Sequence, residues 1–462
     1  MPILPLAEQD HHVPGLLWVA PFAALLLCIA ILPLLKPTEH WWHHNRNKLT
    51  MAVILGLLTL VYYQFRGYGF GHGEHAADAG FESVLSVLDH AVLKEFIPFI
   101  SLLFSLYVIS GGIGVKGDIP AHPLTNVIFL ATGGVLASFI GTTGASMLLI
   151  RPLLATNAER RNVVHTVVFF IFIVSNIGGT LLPIGDPPLF LGFLKGVPFL
   201  WTLGLWKEWA TALAILLFVY YVWDRAAYRR ETVRDIVRDE TQVRSLTVTG
   251  KLNFLWLAGV VVATATLDTS KPFPGTDWTP FPYLREIVQL AFVGLSLVMT
   301  SGLIRRENNF NYTAILEVAC LFIGIFVCMQ VPIEILNAKG GELGINTPTR
   351  FFWATGVLSS FLDNAPTYVV FFETANAMTT TAGPGIIQLV GGHFVREDHL
   401  IAISLGAVFM GANTYIGNGP NFMVKSIAEH AGIKMPSFFG FMVFSVVVLV
   451  PTFVLINLIF LV

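Results

Sequence analysis

Charge is scarce in this sequence. Asp, Glu, Lys and Arg make up 12% of its 462 residues and hydrophobic side chains 55%, whereas about a quarter of a soluble domain is charged. That deficit all but excludes a soluble fold. A basic surplus is missing too: 27 Lys and Arg against 29 Asp and Glu leave a net charge of -2, so nothing is available to neutralise a phosphate backbone and no nucleic-acid partner is expected. Cysteine is nearly absent. Cys28, Cys320 and Cys328 all sit in apolar runs, which gives neither a disulfide framework nor the paired spacing of a zinc site.

Long apolar runs are what the chain has instead. A helix needs about 20 apolar residues to cross roughly 30 Å of hydrocarbon. Runs near that length stand at 16–35, 49–65, 91–113, 207–223, 251–267, 285–304, 313–334 and 437–461. The first follows Glu8 and Asp10 with no basic stretch before it and no small-residue cleavage site after it, so it is expected to stay as a helix and not be removed as a signal peptide. Four further stretches, 123–155, 163–204, 350–378 and 399–428, are apolar but interrupted by Gly, Pro, Asn and Asp. Lipid cannot satisfy irregular backbone, so these must be buried in protein or line a wet cavity. Gly141-Thr142-Thr143-Gly144 and Asp363-Asn364-Ala365-Pro366 lie mid-stretch with an arm of about half-span length on each side, which predicts two re-entrant hairpins. The breaks from Gly178-Gly179 to Pro188 and from Gly411 to Pro420 predict two broken spanning helices.

The expected fold is therefore an all-α polytopic membrane protein of about ten transmembrane helices and two hairpins. Threading it so places 18 of the 27 Lys and Arg on one side, which the positive-inside rule makes cytoplasmic, with both termini extracytoplasmic. The hairpin at 123–155 then enters from the cytoplasm and the one at 350–378 from outside, so the halves are inverted. The expected division is scaffold helices over 1–90, a first repeat over 91–223, a connector over 224–250 and a second repeat over 251–462. The connector, rich in Arg, Asp and Glu, is expected to be simply solvated. The outer loop at 66–90 carries Gly71-His72-Gly73-Glu74-His75, whose donors suit a metal but are more simply explained as solvated.

The repeat is visible in residues. Ser138-Phe139-Ile140-Gly141-Thr142-Thr143 is followed by Ile184-Gly185-Asp186-Pro187-Pro188, and Ser360-Phe361-Leu362-Asp363-Asn364 by Ile416-Gly417-Asn418-Gly419-Pro420-Asn421. Hairpin then broken helix, twice and inverted, is secondary-transporter architecture. Helix N-termini offer positive dipole and C-termini negative, so such a meeting point can hold either sign of ion. The fixed charges favour a cation: Asp186 lies in the first break and Asp363 at the second tip, with no Lys or Arg in either. Intramembrane carboxylates are costly unless paired, protonated or ion-bound. Each could instead cap a helix, Asp363 the second arm and Asp186 the helix opening at Pro187, and capping is compatible with ion binding. A buried carboxylate holds a proton or a cation but not comfortably both, which is the minimum for antiport. Neutral oxygen donors stand near in Asn176, Thr180, Thr142, Thr143, Ser146, Asn364, Thr367, Asn413, Thr414 and Asn418. That set suits a hard ion such as sodium, not a transition metal, and no other cofactor is implied. Glu317, about one turn into its helix, is a possible proton relay or a snorkelling carboxylate, and Glu373, Lys195 and His165 are read as structural or interfacial.

With Ser175-Asn176-Ile177-Gly178-Gly179-Thr180-Leu181-Leu182-Pro183-Ile184-Gly185-Asp186-Pro187-Pro188 and Phe361-Leu362-Asp363-Asn364-Ala365-Pro366 in view, the chain resembles the ion transporter superfamily. That group joins NhaD-type sodium/proton antiporters, arsenite permeases and citrate or dicarboxylate transporters. Asp at 186 and 363 is similar to the proton-coupled antiporters, and Leu189 stands where the family motif has Asn, while Asn421 keeps its counterpart. The resemblance implies a bacterial inner-membrane homodimer in which 123–204 plus 350–428 move as an elevator, exchanging sodium at the Asp186 and Asp363 sites for protons. It also leaves open a coupled anion carrier for citrate, dicarboxylate or arsenite. An intramembrane aspartyl protease would likewise need two carboxylates, but its Gly-x-Gly-Asp element is absent, Pro183-Ile184-Gly185-Asp186 standing instead. The expected protein is thus a transporter and not an enzyme.

Overall fold

The computed structural model describes residues 13–33, 35–71, 77–241, 243–269 and 271–462. The segment with Glu8 and Asp10, and residues 72–75 of the His-containing loop motif, lie outside them. Among the described residues no group of His, Cys, Asp and Glu could hold a metal.

Apolar runs close their own backbone hydrogen bonds as helices. In chain order the main helices are α1 (Ala20–Ile31), α2 (Asn45–Phe65), α3 (Phe81–Ser110), α4 (Pro123–Ile140), α5 (Thr142–Thr156), α6 (Val164–Ile173), α7 (Pro187–Leu194), α8 (Phe199–Tyr228) and the charged α9 (Val233–Thr241). There follow α10 (Leu252–Thr266), α11 (Leu284–Met299), α12 (Thr313–Cys328), α13 (Gln330–Lys339), α14 (Pro348–Phe361), α15 (Asn364–Ala377), α16 (Glu397–Met410), α17 (Gly419–His430) and α18 (Phe438–Phe460). Among the described residues five of these, α2, α3, α4, α8 and α18, are long and apolar enough to cross a membrane, or up to seven spans when bent pairs count as one. Ile54, Leu57, Phe218, Val446 and Val447 on α2, α8 and α18 are each more than half exposed, a surface suited to lipid or to another apolar face. The chain is an all-α polytopic membrane protein with two small two-stranded ribbons, Gly114–Asp118 (β1) against Arg244–Thr249 (β2) and Ile386–Gln388 (β3) against Phe394–Arg396 (β4).

The core is formed by helices that are apolar on every side and buried in protein. His165 through Ile173 of α6 are all buried, and so are Ala402 through Met410 of α16. Each of these helices runs directly into an interrupted segment, 174–186 or 411–418. Two helix pairs meet these interruptions: α4 turns into α5 at Gly141, and α14 turns into α15 at Leu362 and Asp363.

Several boundaries differ from those read in the sequence. The arm α4 has 18 residues and alone reaches spanning length. Its first turn belongs to the base of the pair, where Asn126 and Asn157 exchange amide hydrogen bonds at 2.9 and 3.0 Å. The run at 313–334 is not one straight helix: α12 and α13 bend by 42°, where the ring of Pro332 opposes the carbonyl of Cys328 four residues back. The runs at 251–267 and 285–304 give helices of 15 and 16 residues, because Leu267 and Thr300 leave helical geometry. Residues 199–204, counted with the first broken helix, continue into α8. The connector at 224–250 is not freely solvated. Asp224 bonds Arg160 at 2.6 Å and His165 at 2.8 Å, Asp239 accepts the Ala121 N–H at 2.9 Å, and Glu231 accepts those of Arg161 and Asn162. These carboxylates dock it on the base of the α4–α5 pair.

Candidate functional site

Asp186 is the residue on which the interrupted segments converge. It is 1% exposed. Its Oδ1 accepts the Thr142 hydroxyl at 2.9 Å and the Asn418 amide at 3.1 Å, and its Oδ2 accepts the Asn364 amide at 2.6 Å. These donors come from the first tip, the second break and the second tip, so four segments share one carboxylate. Helices α5, α7, α15 and α17 all begin at these residues or the next one, and their positive dipole ends favour negative charge here.

Backbone geometry is what frees these side chains. Asp186 and Asn418 both precede their helices in extended conformation, φ -143° and ψ 141° against φ -151° and ψ 140°, and neither side chain caps its own helix. Each break is cinched the same way. A Cβ on Gly185 would overlap the Gly179 carbonyl oxygen and one on Gly417 that of Gly411, so only glycine allows either loop to close. Ser138 donates to the Gly178 carbonyl and Ser360 to the Met410 carbonyl, fastening each tip to its own break.

The other candidate residues sort around this centre. Asn176 donates to the Asn421 side chain at 2.7 Å and lies 3.2 Å from the Asn418 amide, joining the two breaks. Ser146 pairs with Ser175 at 2.8 Å one turn behind the first tip. Asn413 and Thr414 bind Ser360 and hold the second tip to the second break. Thr180 and Thr367 instead bond carbonyls of their own turns, Ile177 and Asp363, and Thr143 makes no side-chain hydrogen bond to a described residue. Asp363 is half-buried and its Oδ1 accepts the Ala365 N–H at 3.0 Å. It caps α15. Glu317 is not joined to the cluster: it pairs with Lys48 at 2.6 Å and is 43% exposed.

Two buried acceptors in the cluster have no partner among the described residues, Asn364 Oδ1 and Asn413 Oδ1. Such oxygens are normally satisfied. Both belong to residues whose amide N–H is already used, so each presents its oxygen to whatever enters. Ser138, Ser175 and Ser360 also hold the cluster together without being among the donors expected from the sequence, and Asn421, the counterpart of the Asn that Leu189 replaces, joins them through Asn176 and the Gly411 and Thr414 carbonyls. The signal for the two tip serines was present, since they open both halves of the repeat, but a lone Ser in an apolar run is as readily a packing residue. Lys195 is half-buried between the buried Glu373 at 2.7 Å and Glu95 at 3.2 Å, and His165 lies against Asp224. All three positions read as structural or interfacial have partners in the fold.

Similarity to known proteins extends over this whole arrangement. A family described as "Putative citrate transport" matches residues 10–461. An uncharacterized transporter of Mycobacterium bovis and one of Mycobacterium tuberculosis are each 27% identical over 339 residues, covering 69% of this chain and 72% of theirs. These relatives are transporters and not enzymes. The match leaves almost nothing of the chain outside it, and the protein belongs to this transporter family, within the ion transporter superfamily that its motifs resemble.

Proposed function

We propose that the protein is a sodium/proton antiporter of the bacterial inner membrane, with Asp186 as the group that holds sodium and proton in turn. The observation that carries this reading is a buried carboxylate shared by four segments, beside a buried Asn364 oxygen with no partner. Hard oxygen donors in that number suit sodium. The second tip, with Asp363 and the unpartnered Asn413 oxygen, supplies a second cation position. None of Asp186, Thr142, Asn364 and Asn418 is more than 3% exposed, so entry requires a movement. In our reading the segments 91–223 and 251–462 are inverted repeats, and 123–204 with 350–428 form the moving body of an elevator. The rest is a scaffold that forms the homodimer, with both termini outside.

A second reading is coupled transport of an anion such as a carboxylate or arsenite. It is favoured by the four helix N-termini around the site and by the description of the family. Proteoliposomes separate the two. Under antiport, sodium added outside drives protons out, the lumen turns alkaline, and Asp186→Asn abolishes the signal. Unchanged lumenal pH together with accumulation of labelled citrate or arsenite overturns antiport in favour of the anion carrier.

A further inference from the structure

A cavity of about 980 Å³ opens between the far ends of α5 and α17 and the start of α6. Three arginines, Arg151, Arg160 and Arg161, line it together with His430 and Lys434, and no Asp or Glu does so among the described residues. Arg160 is 7% exposed and gives its Nη atoms to Asp224, while its Nε is buried with no acceptor. Arg161 pairs with Asp235 at 2.9 Å. Arg151, half-buried, and Lys434, exposed, make no ion pair or side-chain hydrogen bond with a described residue.

Basic residues at the cytoplasmic ends of membrane helices are ordinary, and the carbonyl ends of α5 and α17 attract some of this charge. Neither accounts for like charges gathered around a half-enclosed space with no acidic lining in a chain whose acids outnumber its bases. Arg160 and Arg161 already have carboxylate partners, but Arg151 and Lys434 have none among the described residues, so an anion in the cavity is drawn to these two, and low-dielectric walls strengthen its attraction. Guanidinium groups match carboxylate and phosphate oxygens in pairs. The volume lies at the upper end of ligand pockets, with room for several charged groups and their waters.

We propose that this cavity binds a multivalent oxyanion, bearing two or more carboxylate or phosphate groups, through Arg151, Arg160 and Lys434. Its source is either a soluble cytoplasmic acid or an anionic lipid headgroup. The cavity is separate from the ion site: from Thr142 to Arg151 and from Gly419 to Ser426 the helices rise by about 14 and 10 Å. Asp186 and Asp363 do not line it.

The test is the thermal midpoint of the purified protein in nanodiscs of neutral lipid, titrated with citrate, inorganic phosphate or chloride at matched ionic strength. Citrate and phosphate raise the midpoint and chloride does not. Arg151→Gln raises the half-saturating citrate concentration tenfold or more, Lys434→Gln raises it severalfold, and Asp186→Asn leaves it unchanged while abolishing transport. In nanodiscs of anionic lipid, a citrate effect that persists assigns the site to soluble acids. One that disappears, and stays absent at saturating citrate, assigns it to headgroups. Equal responses to chloride and citrate overturn the proposal. So does wild-type citrate binding by Lys434→Gln with an unchanged unliganded midpoint, and this exposed, unpartnered position keeps the test valid should Arg151→Gln fail to fold.

Discussion

The two breaks have nearly the same backbone and carry different charge. Asp186 and Asn418 occupy equivalent extended positions before α7 and α17, each loop closed by a glycine against a glycine carbonyl. Yet one is a carboxylate that accepts three hydrogen bonds and the other an amide that donates one of them. The second half thus supplies donors to a charge held in the first. Two breaks of the same backbone geometry can concentrate their chemistry in one of them, because a second carboxylate 3.1 Å away would add like-charge repulsion in a site with little water.

The largest expected effect breaks this asymmetry. Asp186→Asn should reduce sodium-driven proton efflux to the level of protein-free liposomes while the protein still elutes as the wild type does. The exchange Asp186→Asn with Asn418→Asp keeps one carboxylate and one amide in contact and should restore part of the flux. An inactive exchange, with both single variants folded, would show that the first break's position matters beyond its charge.

The helices leaving the breaks sharpen the same comparison. Beyond α7, Lys195 is half-buried between the buried carboxylates of Glu95 and Glu373, and Glu95 also accepts the Gln330 amide at 3.1 Å. On α17, Lys425 pairs with Glu429 at 3.4 Å at the surface. Removing the cation from a buried network strands its carboxylates, so Lys195→Met should cost about 3–5 kcal/mol. Lys425→Met should cost less than about 0.5 kcal/mol. Unfolding in detergent, followed by circular dichroism, measures both.

The sequence revealed the breaks because Gly, Pro, Asn and Asp inside an apolar run conflict with a simple membrane helix. It named Asp186, Asn364 and Asn418 for that reason. It did not distinguish Asp186 from Asp363, since which carboxylate caps and which faces the centre is set by backbone and rotamer, not residue type. The Lys195 network was not legible either. Its partners lie in α3, α13 and α15, and hydropathy averages over a window without registering which distant residues meet. The same averaging hid the bend before Pro332 and the early ends of α10 and α11. Docking of the connector was missed because charge runs are usually solvated, whereas Asp239 and Glu231 here satisfy backbone N–H groups of distant residues.

The tips give the smaller effects. Gly141 has φ 78° and ψ 147°, Asp363 φ -56° and ψ 137°, so one tip needs glycine and the other admits any residue. Gly141→Ala should cost about 1–3 kcal/mol, read as a lower unfolding midpoint. Asp363→Ala should cost about 1 kcal/mol as a lost cap. Asp363→Asn can still cap Ala365, so its stability should stay within a few tenths of a kcal/mol of the wild type. That variant separates the two roles of the residue. If Asp363 only caps, sodium dependence of transport is unchanged. If its charge completes a second cation position, as proposed here, the half-saturating sodium concentration should rise about tenfold, equivalent to about 1.4 kcal/mol of binding, with no loss of fold. The effect remains smaller than that of Asp186→Asn because Asp363 holds its own helix and no other segment of the cluster depends on its carboxylate.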